Sequence, residues 1–157
     1  MSQAQHRAVR LNQSGGPEVL ELRTVPTPEP GPGEIRVRHA AIGLNFIDIY
    51  QRDGLYPLTF PTGLGLEAAG MVEAVGDGVS RFAPGDRVAY ANGPVGAYAE
   101  THVVPADRAV PVPEGVELET VAAALLKGMT AEMLLRRVFH VKHGDVILAH
   151  AAAGGVG

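Results

Sequence analysis

Cysteine and tryptophan are absent from this chain of 157 residues. Without cysteine there is no disulfide, no thiolate zinc site, no iron–sulfur cluster and no cysteine nucleophile. Aromatic residues make up 5% of the chain, too few to build the stacking platform that single-stranded nucleic acid binds. Basic charge is also scarce. Lys and Arg number 13 against 17 Asp and Glu, and the net charge is −4. That balance offers no electrostatic footprint for nucleic acid or an anionic membrane. No apolar run is long enough to span a bilayer, and Met1 to Arg10 lack the apolar core of a secretory leader. These absences point to a soluble, cytoplasmic protein without nucleic-acid or membrane partners. The composition that is present, 46% hydrophobic and 19% charged, is that of a folded chain. Its length suits one core, or one domain and part of a second.

The first 115 or so residues read as short strands separated by Gly/Pro turns. His6 to Leu11 and Val19 to Val25 form a strand pair joined through Ser14-Gly15-Gly16-Pro17. The stretch Pro26 to Gly33 holds four prolines and two glycines, which excludes helix and central strand. Only one strand pair precedes it, so it reads as a stiff turn, not a linker between domains. Glu34 to Ala41 alternates, with Ile35 and Val37 on one face and Arg36 and Arg38 on the other. Met71 to Val75, Arg87 to Tyr90, Gly96 to Val104 and Arg108 to Val112 continue the series, as in a small barrel or sandwich. One helix interrupts it: Asn45 can cap, Asp48 stands in the first turn and Gly54 can end it.

Near Glu117 the character changes. Glu119 to Leu126 is predicted helical, Gly128 is predicted to interrupt, and Thr130 to cap a second helix through Phe139. The apolar run Val146-Ile147-Leu148 then reads as a strand buried on both faces. It passes into Ala149-His150-Ala151-Ala152-Ala153-Gly154-Gly155-Val156-Gly157. Gly154 and Gly157 have the spacing of the last two glycines of G-x-G-x-x-G, with Ala152 in place of the first. Small residues are needed there so that a pyrophosphate can approach the backbone at a helix start.

Several separated motifs then agree. Ala41-Ile42-Gly43-Leu44-Asn45-Phe46-Ile47-Asp48, Gly54-Leu55-Tyr56-Pro57, Gly63-Leu64-Gly65-Leu66-Glu67-Ala68-Ala69-Gly70 and Pro84-Gly85-Asp86-Arg87-Val88 resemble the medium-chain dehydrogenase/reductase superfamily in order and spacing. With Leu126-Lys127-Gly128-Met129-Thr130 and His150 to Gly157, the chain resembles the zeta-crystallin-like NADPH-dependent quinone oxidoreductases over its whole length. The resemblance implies a mainly β fold with an α/β end. A GroES-like β-barrel catalytic domain (residues 1–122) would be followed by the first elements of a truncated Rossmann domain (123–157), the rest lying beyond Gly157. It also implies a homodimer at full length. Zinc alcohol dehydrogenases carry a ligand cysteine where Asn45 stands and a histidine where Leu66 stands. The resemblance is therefore to the zinc-free branch, with no metal site.

The activity this resemblance implies is hydride transfer from NADPH to a quinone. The alternatives are reduction of an enone, alkenal or enoyl thioester or, for this chain by itself, a non-catalytic barrel module. By the same resemblance Asn45 and Tyr50 are the candidate catalytic residues, positioning cofactor and acceptor. The candidate NADPH contacts are Asn45, Tyr50, Tyr56, Lys127, Thr130, Ala153, Gly154, Gly155 and Val156. From the residues alone, Asn45 is a helix cap and Tyr50 a core tyrosine with its hydroxyl at the edge. Lys127, one of two lysines, reads as a surface charge. Glu67 reads either as a structural acid or as a buried partner for the basic side of the cleft. Asp86 reads as a turn carboxylate, and His140 and His143 as turn and surface residues.

Overall fold

The structure, a computed structural model, describes residues 4–157. The chain runs through β1 (Gln5–Arg10), β2 (Glu21–Pro26), β3 (Glu34–Ile42), α1 (Phe46–Asp53), β4 (Ala68–Val75), β5 (Arg87–Tyr90), β6 (Thr101–Pro105), β7 (Ala109–Pro111) and α2 (Leu118–Glu132). β1 and β2 form an antiparallel hairpin, and the other five strands form one antiparallel sheet in the order β6-β3-β4-β5-β7. Bridges at Ala8–Ala99 and Leu11–Thr62 tie the hairpin to the loops of the sheet. The result is the curled half-barrel expected of a GroES-like domain.

β3 shows why the sheet stands where it does. Its alternation buries Ile35 and Val37 completely and turns Arg36 and Arg38 outward, where both pair with Glu73 of β4. Register shifts at Arg36/Val37 and His39/Ala41 bend the strand. One face of the sheet closes a core of Ile35, Val37, Ala68, Val72, Phe82, Val88, Tyr90 and Val104. The opposite face, through Ala69, Ala89 and Val112, receives Ala122 of α2, with Leu118, Val121 and Leu125 packed around it. The proline-rich stretch is a turn, as expected. Gly33 N–H donates to Asp77 O at 2.8 Å, and Ala106 N–H donates to Gly33 O at 2.9 Å.

Four expectations need correction. Gly128 does not break the helix, because α2 runs unbroken from Leu118 to Glu132. One glycine costs a helix only ~1 kcal/mol, and the apolar face of α2 is held against the sheet. Beyond Glu132 the chain widens into a π turn, Met133–Val138, so the expected stripe Leu134/Val138 and Leu135/Phe139 is exposed. Val146 to Leu148 is not a buried strand. Val146 is 98% and Leu148 83% exposed, and among the described residues no strand lies beside them to take their backbone hydrogen bonds. Finally, Gly96 to Val104 is shortened to β6, which begins at Thr101.

Candidate functional site

The site is built around the start of α1. Asn45 is the extended residue before the helix, as expected of a cap. Its backbone N–H donates to Asp48 Oδ2 at 3.0 Å, and Asp48 N–H donates to Asn45 O at 3.0 Å. At the other end Gly54 takes the left-handed φ of 89° that ends the helix. The inward face of α1 is polar, carrying buried Asp48 and Gln51, while Phe46, Ile49 and Tyr50 point outward. The Tyr98 hydroxyl donates to Asp48 Oδ2 at 2.8 Å. Burial raises the Asp48 carboxyl above the usual carboxylate range, although Tyr98 and the Asn45 N–H oppose the shift. Burial, reinforced by Asp48, also raises the Tyr98 hydroxyl.

The Asn45 side chain completes a capping box, its oxygen toward the Asp48 N–H. Its amide nitrogen donates to Glu67 Oε2 at 2.9 Å. Glu67, just ahead of β4, has no solvent exposure. Its other oxygen accepts the backbone N–H of Leu126 at 2.6 Å, and Lys127 Nζ joins Asn45 on Oε2 at 3.2 Å. The carboxylate thus binds the cap of α1 to the middle of α2. The stem of Lys127 in turn covers Gly155: a Cβ placed there would stand 3.1 Å from Lys127 Cδ. Asn45, Glu67, Lys127 and Gly155 therefore form one contiguous line from the barrel to the glycine-rich end.

Beside Asn45 the exposed face of α1 is aromatic. Phe46 and Tyr50 have ring centroids 6.5 Å apart, and Tyr50 meets Tyr56 edge-on at 5.9 Å and 71°. The Tyr56 N–H donates to Tyr50 O at 3.1 Å, fixing the loop to the helix. Thr130 lies elsewhere. It is not a cap but an interior helix residue whose hydroxyl donates to Leu126 O at 2.9 Å, on a groove of 940 Å³ lined also by Asn92, Met129 and Met133. Ala153, Gly154 and Val156 sit in an exposed turn in which Gly154 N–H donates to Ala151 O at 2.7 Å. Asp86 holds its turn through Ala83 N–H at 2.8 Å, and His140 and His143 are exposed. Among the described residues no three His, Asp or Glu side chains gather as a metal site.

The sequence left Glu67 open between a structural acid and a buried partner for the basic side of the cleft, and did not single out Gly43 or Tyr98. A Cβ on Gly43 would collide with the Glu67 carboxylate and the Ala122 carbonyl, so the glycine keeps the space the acid occupies.

The chain is 58% identical over 152 residues to a quinone oxidoreductase of Pseudomonas aeruginosa, covering 96% of this chain and 47% of that protein. A quinone oxidoreductase crystal structure from Pseudomonas syringae pv. Tomato DC3000 superposes with a TM-score of 0.94 at 53% identity, over 96% of this chain and 47% of that one. An Escherichia coli quinone oxidoreductase crystallised with NADPH superposes with a TM-score of 0.85 at 44% identity, over 88% and 42%. The chain spans about half the length of the curated relatives it matches. Residues 31–114, more than half of the chain, match the alcohol dehydrogenase GroES-like domain. A curled antiparallel sheet with a capped helix at its mouth is thus the shared core, and the chain belongs to the alcohol dehydrogenase GroES-like domain family.

Proposed function

We propose that the whole protein to which this chain belongs is a zinc-independent oxidoreductase that reduces quinones with NADPH. The observation that carries this reading is the line Asn45–Glu67–Lys127–Gly155. It joins the cap of α1, at the edge of the barrel, to the glycine-rich backbone stretch, where small residues would let a phosphate approach once the Lys127 stem moves aside. Relatives named quinone oxidoreductases, one of them crystallised with NADPH, add support.

NADPH, when bound, supplies the hydride. Gly154 and Gly155, with Ala153 and Val156 beside them, would hold its phosphates, and the Lys127 ammonium would add positive potential next to them. Asn45 has one N–H engaged by Glu67 and its oxygen turned to the Asp48 N–H, so its second N–H is left to orient a carboxamide or a substrate carbonyl. Tyr50 and Tyr56 would flank a planar acceptor with aromatic surface and place a hydroxyl near charge that develops on its oxygen. Thr130, with its hydroxyl bonded inside α2, would contact the cofactor only by turning out of that bond. Asparagine and leucine at positions 45 and 66 supply neither thiolate nor imidazole, which supports a mechanism without zinc.

We place the boundary between the catalytic domain and the start of the cofactor domain at residues 122 and 123. This lies within α2, whose first turns pack on the sheet through Leu118, Val121 and Ala122. The cofactor domain would be completed by the remaining half of the relatives' length, and a homodimer would form through its sheet. The test is NADPH oxidation by the full-length polypeptide. Turnover that depends on an added 1,4-quinone is expected. Turnover with enones alone would move the assignment to an enone reductase, and none with either class would sink it.

A further inference from the structure

We infer that Glu67 is a positioning residue that fixes which way the Asn45 amide faces and locks that orientation to helix α2. This rests on the proposed role of Asn45 in the cofactor cleft. An asparagine amide can turn half a revolution about its last bond, exchanging its oxygen for its NH₂ with little change in shape. Its hydrogen-bond partners decide between the two. Glu67 Oε2 accepts from the Asn45 amide at 2.9 Å and from Lys127 Nζ at 3.2 Å, while Oε1 accepts from Leu126 N–H at 2.6 Å. All three partners are donors, so Asn45 has to present its NH₂ to the acid, with its oxygen toward the Asp48 N–H of the capping box and its second N–H left for the cleft.

The alternative role for such an acid is simply to hold the fold together, and two observations argue against that as its whole purpose. A fully buried carboxylate is a costly way to join two segments that apolar packing could join as well. Its contacts are also divided: Oε1 serves only backbone, whereas Oε2 serves only the two side chains that border the cleft and the glycine-rich end. Space is reserved for this geometry at Gly43, where any side chain would displace the carboxylate. Through Oε1 the orientation of Asn45 is tied to the position of α2, so a shift of that helix would be felt at the cleft amide.

Glu67→Gln tests this without changing size. With its oxygen retained by Leu126 N–H, the new amide places NH₂ against the Asn45 NH₂ and the Lys127 ammonium. Asn45 should then turn over, presenting its oxygen to the new amide and withdrawing its N–H from the cleft. In the full-length polypeptide, Asn45→Ala and Glu67→Gln are each expected to lower kcat by tenfold or more. The double variant should be no worse than the worse single one, because the acid acts through the amide. Losses that multiply would overturn the inference. A second arm needs neither turnover nor the variant: ¹⁵N spectra of the wild-type side-chain amides. One Asn45 proton is expected to be shifted downfield and slow to exchange, the other free. Two protons exchanging alike would overturn the inference even in a fully active enzyme. If the spectra show the protected proton but the wild type turns over no quinone or enone, the functional reading fails while the orientation by Glu67 stands.

Discussion

His39, where β3 reaches the mouth of the half-barrel, has both ring nitrogens engaged. Nδ1 donates to the Ala99 carbonyl at 2.7 Å, and the Tyr90 hydroxyl donates to Nε2 at 2.9 Å. The fold therefore accommodates the neutral ring, and burial is the main reason its pKa is pushed down to about 4. His102 and His6 lie near enough to lower it further, and burial lowers both of them as well. Arg10 adds to the lowering on those two, while Glu100 and Glu73 beside His6, and Glu34 beside His102, oppose it. From the usual 6.5 down to 4, the unfolded chain binds a proton that the folded chain refuses. Stability is therefore present above pH 6.5 and lost as pH falls through that window, by about 3 kcal/mol for His39 alone. The denaturant midpoint should fall markedly between pH 7 and pH 4.5, and His39→Gln, which can still donate and accept, should flatten the fall. An unchanged midpoint would refute it. Nothing in the sequence announced this histidine, because it occupies an ordinary place in an alternating strand. Asn45 was legible as a cap because its partner Asp48 is three residues away. Its second partner, Glu67, and that acid's donors at Leu126 and Lys127 come from distant parts of the chain, and no local pattern could join them.

Helices and strands were legible wherever their punctuation is local. α1 has its cap and its left-handed glycine, and β3 has its alternation. α2 was misread because Gly128 is a local signal and the packing that overrides it is not. Among the described residues a Cβ at position 128 would meet nothing within 4 Å, and the backbone there is helical. Gly128→Ala should therefore stabilise the protein by ~0.5–1 kcal/mol, chiefly by restricting the unfolded chain. A higher thermal midpoint with unchanged far-UV helicity is the expected readout. Destabilisation would mean that the glycine serves a close approach not present in this structure. The run Val146 to Leu148 failed as a strand for the converse reason. Its residues have the right character, but a strand exists only with a neighbour to pair with.

Over the whole molecule, the half-barrel is complete enough to bury Tyr90, Ile35, Val37 and Val104, whereas the segment after Glu132 buries almost nothing. Val138, Phe139, Val146, Ile147 and Leu148 are all more than half exposed, and the chain spans about half the length of its curated relatives. An apolar strip of this kind has to be covered for a chain to stay dispersed. The glycine-rich stretch meets only one side chain of the line to the barrel, Lys127. A dinucleotide needs the neighbouring strands of a doubly wound sheet to form its crevice. A polypeptide of these 157 residues alone should therefore bind NADPH with a Kd of roughly millimolar or weaker, a gain of only about 4 kcal/mol. It should turn over no quinone and should self-associate as its concentration rises. Size-exclusion chromatography and a fluorescence titration with NADPH, run beside the full-length polypeptide, would check all three outcomes. A dispersed monomer that binds NADPH at micromolar concentration would show that the 157 residues already contain the whole binding crevice. In that case the exposed strip at Val146 to Leu148 would have to fold onto the barrel when the nucleotide binds.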